Sequence, residues 1–175
     1  MCNADYIASS YIPTLSSLTK ARSGWEPLPR IGIAGLLICE DSSGLGPGKH
    51  LVEAGTEVGL VRDCFDSARA QVLNAHAAHT TRPELRSLLE GTPAHILHLA
   101  CHGVQESDPL KSALVLQDGK LTIEDIMQLN LPHAVLAYLS ACQTAKGDKN
   151  APDQAVHLAA SMLFCGFRSV IGTMW

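Results

Sequence analysis

Basic excess is missing from this 175-residue chain: 13 Lys and Arg stand against 17 Asp and Glu, a formal net charge of −4. A nucleic-acid binder ordinarily carries a basic surplus, so that class is excluded, and the acidity is too mild to name another partner. Long hydrophobic runs are missing too. The apolar stretches are short and broken by Gly, His or Ser, and none approaches the roughly 20 residues that span a bilayer. Met1-Cys2-Asn3-Ala4-Asp5-Tyr6 lacks a basic segment followed by an apolar one, so no secretory signal is read. The 6 cysteines, Cys2, Cys39, Cys64, Cys101, Cys142 and Cys165, are scattered without a CxxC pair or a dense framework. Free thiols in a reducing, cytoplasmic compartment are expected.

What is present is core material. Hydrophobic residues make up 46% and charged residues only 17%, a balance that belongs to a folded body and not to a disordered chain. No internal repeat or low-complexity tract occurs. Residues 1–30 read as an irregular or helical lead-in, with a short helix within Tyr11–Arg22. From Ile31 onward strands alternate with helices. Ile31–Cys39, Ala94–Cys101 and Ala134–Ala141 are strongly apolar runs, the mark of strands buried on both faces, and Phe167–Met174 is a fourth strand. Ala70–Asn74 and Ala113–Leu116 are shorter candidates, the second turned by Asp118-Gly119.

Helices fall between them. Leu51, Ala54, Val58, Val61 and Phe65 recur at helical spacing and predict a helix over His50–Phe65. Thr81 and Glu84 have the spacing of a capping box, with Leu85, Leu88 and Leu89 on one side. Thr122–Leu129 and Pro152–Cys165 follow, the last closed by Gly166 at the expected position past a helix end. Alternating strands and helices imply an α/β fold, a mainly parallel central sheet covered on both faces. Such sheets bind ligands beyond the carboxyl ends of their strands.

Two segments leave those ends carrying reactive side chains: His98-Leu99-Ala100-Cys101-His102-Gly103 and Leu139-Ser140-Ala141-Cys142-Gln143-Thr144. If their strands are neighbours, His102 and Cys142 share one rim. A thiol attacks only as thiolate, an imidazole takes its proton and later supplies one to the leaving amine, and the oxyanion needs donors, which the backbone N–H groups of Gly103 and Cys142 offer. Taken singly, a Cys ending a buried strand is ordinarily inert packing and a His there ordinarily just hydrogen-bonded.

The same two blocks resemble the paired signatures of the CHAT family, peptidases related to caspases and separases. Ser112-Ala113-Leu114-Val115-Leu116, Leu121–Ile126, His157–Ala160 and Gly166–Trp175 resemble its intervening strand, helix and closing helix–strand unit. Tyr11–Leu18 resembles the segment where such domains begin. The resemblance is closest to fungal-type members. It implies a caspase-like α/β/α sandwich over residues 31–175, carboxy-terminally truncated. It makes His102 the general base and Cys142 the nucleophile of a dyad that hydrolyses peptide bonds without cofactor or metal. Protein or peptide substrates are implied, and fusion to a regulatory helical-repeat (TPR) region; a catalytically silent scaffold is the alternative. Thr144 stands where caspases carry Gly, and Lys146–Ala151 departs from the Gly-Asp-Glu-type stretch of bacterial members.

Other candidates are weaker. Asp148 and Asp153 are candidate carboxylates for a pocket accepting a basic residue, though solvated loop charges describe them more simply. His95, His98, Cys101 and His102 crowd one strand. A structural zinc site wants four ligands in paired short spacings, however, so His98 is read as a buried, hydrogen-bonded ring. The loop Asp41–Gly48 has Gly44, Gly46 and Gly48 but no phosphate-loop ending. His76 and His79 are read as surface residues.

Overall fold

The computed structural model describes residues 15–23, 33–39, 51, 53–65, 70–72, 81–91, 94–104, 106–140 and 158–172. In chain order these form α1 (Leu15–Arg22), β1 (Ile33–Cys39), α2 (Ala54–Cys64), β2 (Ala70–Val72), α3 (Arg82–Gly91), β3 (Ala94–Ala100) and β4 (His102–Val104). There follow β5 (Ala113–Leu116), β6 (Gly119–Thr122), α4 (Ile123–Met127), β7 (Leu136–Leu139), α5 (Leu158–Cys165) and β8 (Ser169–Gly172). The expected α/β class holds, with one addition.

Five strands make a parallel sheet in the order β2-β1-β3-β7-β8. The central strands read as apolar runs because a strand flanked by neighbours and covered by helices hides both faces. In β3, Leu97, His98, Leu99 and Ala100 are all buried. Alternation sorts them by face. Leu97 and Leu99, with Ala137 and Leu139 of β7, enter the main core beside Leu85, Leu89, Ile123, Ile126 and Met162 from the helices and Phe167 from the link between α5 and β8. Ala100 points the other way, onto Ala54 and Val58 of α2. Helices thus lie on both sides of the sheet, a sandwich of the caspase-like kind.

The addition is a second sheet, antiparallel, in the order β4-β5-β6. The apolar run ending at Cys101 suggests one continuous strand, but the chain bends there and β4 starts a new ladder. Alternation therefore does not carry through from His98 to His102. All four residues of β5 are buried, so β5 anchors the small sheet to the core. A two-residue turn, Gln117-Asp118, joins it to β6. Arg82 at the start of α3 grips that turn: its N–H donates to Asp118 Oδ1 at 2.8 Å and its Nε to Oδ2 at 3.2 Å.

Local chemistry sets the helix starts. Thr81 N–H donates to Glu84 Oε2 at 3.1 Å and Glu84 N–H to Thr81 Oγ1 at 3.4 Å, the reciprocal pair expected from the spacing. Thr122 and Asp125 form a second, tighter box at the start of α4. Past α5, Gly166 takes φ +130°. The expected extents of the last helix and strand run into residues 152–157 and 173–174, which lie outside the described residues. Among the described residues, no helix is long and apolar enough to cross a membrane.

Candidate active site

The parallel sheet reverses its direction of growth between β1 and β3: β1 leads outward to β2, β3 to β7 and β8. Sheets of this order commonly bind ligands at that reversal. The two blocks singled out in the sequence follow the next pair of strands along, β3 and β7, which lie side by side.

That adjacency is close and in register. Ile96, Leu97, His98 and Leu99 pair with Leu136, Ala137, Tyr138 and Leu139. The ladder continues one residue past β7, since Ser140 N–H donates to Leu99 O at 2.7 Å. Beyond this rung β3 runs through Ala100 and the buried Cys101 to His102, and β7 runs toward Cys142.

His102 opens β4, paired with Val115, and Gly103 pairs with Leu114; both are half-buried. The turn after β4 is held at its far end, where Glu106 N–H donates to the buried Ser112 Oγ at 3.1 Å. Lys120 Nζ reaches Glu106 Oε1 at 2.7 Å. His102 thus sits on a strand whose partner is rooted in the core. Cys142, Asp148 and Asp153 lie outside the described residues, as do His76, His79 and the loop Asp41–Gly48. Cys64, Cys101 and Cys165 are thiols outside any disulfide.

His98 is the buried, hydrogen-bonded ring expected of it. Its side chain is only 6% exposed, and its Nε2 lies 2.9 Å from Glu57 Oε1. A carboxylate only accepts, so Nε2 carries the proton. Burial pushes the imidazole below its usual value, against the charge and hydrogen bond of Glu57. The ring stacks on Tyr138, centroids 5.0 Å apart and planes 8° apart. Glu57 uses its other oxygen as well, with Ser140 Oγ donating to Oε2 at 2.9 Å.

Glu57 escaped sequence reasoning, although a signal was there. It falls at position 57 within the apolar stripe 51, 54, 58, 61, 65 of α2, where a carboxylate facing a sheet needs partners. Among the described residues, no group of three or more His, Cys, Asp or Glu is arranged to hold a metal ion.

Among curated proteins none matches this chain. The profile of the CHAT domain matches residues 7–175, nearly the whole length and both reactive blocks. The chain belongs to the CHAT domain family, related to the caspase-like cysteine peptidases.

Proposed function

We propose that the chain is a cysteine endopeptidase in which Cys142 attacks and His102 moves the proton. What carries the reading is the side-by-side, parallel placement of β3 and β7. The first leads directly to His102 and the second to the segment holding Cys142. Membership of the CHAT family adds the peptidase relationship.

In the reaction His102 removes the thiol proton and Cys142 Sγ bonds to the scissile carbonyl carbon. The oxyanion is met by the backbone N–H groups of Gly103 and Cys142. Collapse breaks the C–N bond, the proton passes from His102 to the departing amine, and a thioester remains. Water, deprotonated by His102, then hydrolyses the thioester and restores the thiol. No cofactor takes part. Asp148 and Asp153 are the candidate acceptors for a basic substrate side chain, with solvated loop charges the simpler reading of both. A reducing cytoplasm keeps the thiol available, and a helical-repeat region elsewhere in a longer protein would gate access.

The test is labelling by a thiol-reactive peptidyl acyloxymethyl ketone with mass-spectrometric site mapping. Selective modification of Cys142, at least 100-fold slower in His102→Ala, supports the enzyme. Equal, slow modification of all cysteines overturns it in favour of a catalytically silent scaffold.

A further inference from the structure

The Glu57 carboxylate touches two neighbouring strands at once. Oε1 holds His98 Nε2 at 2.9 Å, four residues before His102, and Oε2 holds Ser140 Oγ at 2.9 Å, two residues before Cys142. We propose that Glu57 is a positioning residue: by bridging His98 on β3 and Ser140 after β7 from above, it sets the separation of the two segments that deliver His102 and Cys142. The inference rests on the peptidase reading for its catalytic consequence, but the bridge itself stands on geometry.

Three observations argue that the bridge is more than filler. First, both oxygens are used, one per strand, so neither strand end shifts without breaking a charge-assisted hydrogen bond. Second, each partner is fixed by something else: His98 by its stack on Tyr138, and Ser140 by its backbone bond to Leu99 O at 2.7 Å. Glu57 therefore joins two points that are themselves anchored, and α2 is seated by Ala54 and Val58 against Ala100. Third, an apolar residue at 57 would match the rest of the stripe and avoid the cost of bringing a carboxylate against the sheet. A polar bridge at that position supplies direction, which an apolar contact lacks.

Geometry of this kind governs nucleophilic catalysis, where a misplacement of about 1 Å costs on the order of 100-fold in rate. The variants separate a tie from a charge and from simple packing. Glu57→Ala removes both bonds. Glu57→Gln keeps them, with its carbonyl accepting from His98 and its amide donating to Ser140 Oγ. Ser140→Ala cuts only the far half. Val58→Ala loosens α2 without touching the bridge.

The first readout is inactivation of Cys142 by the acyloxymethyl ketone, resolved into kinact and KI. Expected are a drop in kinact of roughly 10- to 100-fold for Glu57→Ala, a similar though smaller drop for Ser140→Ala, KI within about twofold, and near-parental kinact for Glu57→Gln. The second readout is amide exchange at Ser140, which should quicken in Glu57→Ala and Ser140→Ala but not in Glu57→Gln.

An unchanged kinact in Glu57→Ala and Ser140→Ala overturns the proposal. So does a Glu57→Gln as slow as Glu57→Ala, an effect confined to KI, or an equal loss of kinact in Val58→Ala. Should Glu57→Ala fail to fold, Ser140→Ala decides. Should the parent not label at Cys142 at all, the peptidase reading falls while the exchange measurement still decides whether the bridge exists.

Discussion

Replacing Gly166 and Gly119 by alanine, one at a time, separates two costs that are usually confounded. Both residues adopt nearly the same backbone angle, φ +130° and +136°, a region closed to side chains with a Cβ. Their surroundings differ. An added Cβ at Gly119 meets the end of the Arg82 side chain no closer than 3.7 Å, an ordinary contact. At Gly166 it collides with the Leu131 carbonyl, which is backbone and has little room. Leu131 is moreover tied to the end of α5, its N–H donating to Cys165 O at 2.9 Å. Gly119→Ala should therefore cost the conformational strain alone, about 1–3 kcal/mol. Gly166→Ala carries the same strain plus an overpacking cost of about 1–3 kcal/mol, and moving Leu131 sacrifices a hydrogen bond worth about 1 kcal/mol. The expected loss is then about 3–7 kcal/mol, a large share of the roughly 5–15 kcal/mol that holds a domain together. Urea unfolding followed by circular dichroism measures both. Equal losses at the two sites would refute the steric argument. Losses below about 0.5 kcal/mol at both would refute the backbone argument as well.

Two pH-dependent outcomes follow from the hydrogen bonds. Burial lowers the His98 imidazole in the fold despite Glu57, so the unfolded chain binds the proton more readily. The stability this contributes is complete above the unfolded value of about 6.5 and is lost as pH falls through the folded one. The urea midpoint of the parent should thus fall more steeply below pH 6.5 than that of His98→Gln, and a parallel or shallower fall would refute the assignment. The side-chain and then the backbone hydrogen bonds of Thr122 hold Asp125 below the usual carboxylate value. Its contribution is present above the unfolded value of about 3.9 and disappears as pH drops through the folded one. Asp125→Ala should cost about 1 kcal/mol at pH 7, with the gap to the parent closing in acid; a gap that persists there would refute the cap.

Residue chemistry alone went far in this chain. The apolar runs that became β1, β3 and β7 are long enough to be read without a partner in view. The capping pair Thr81–Glu84 and the glycine closing α5 are equally local: each acts within a few residues, so the order of residue types contains the whole interaction. The α/β class follows, because alternating strands and helices leave few other ways to hide both faces of a sheet. The pairing of His102 with Cys142 as candidates came from two short blocks and their likeness to a family.

What the order of residues could not supply depends on contacts between distant positions. The strands β4 and β6 have three and four residues of mixed polarity. Segments so short show no period, and pairing with the buried β5 makes them strands. Cys101 continues the apolar run of β3, yet the backbone turns there, because only the folded chain offers β5 as a second ladder. That β3 and β7 are neighbours is likewise a tertiary fact, since side-chain pattern marks a strand as buried without naming what lies beside it. Glu57 shows the limit most clearly. Its spacing places it on the inner stripe of α2, but its partners stand 41 and 83 positions away. A carboxylate in an apolar stripe announces that it needs hydrogen bonds, and only the packing of α2 across two strand ends decides which groups provide them.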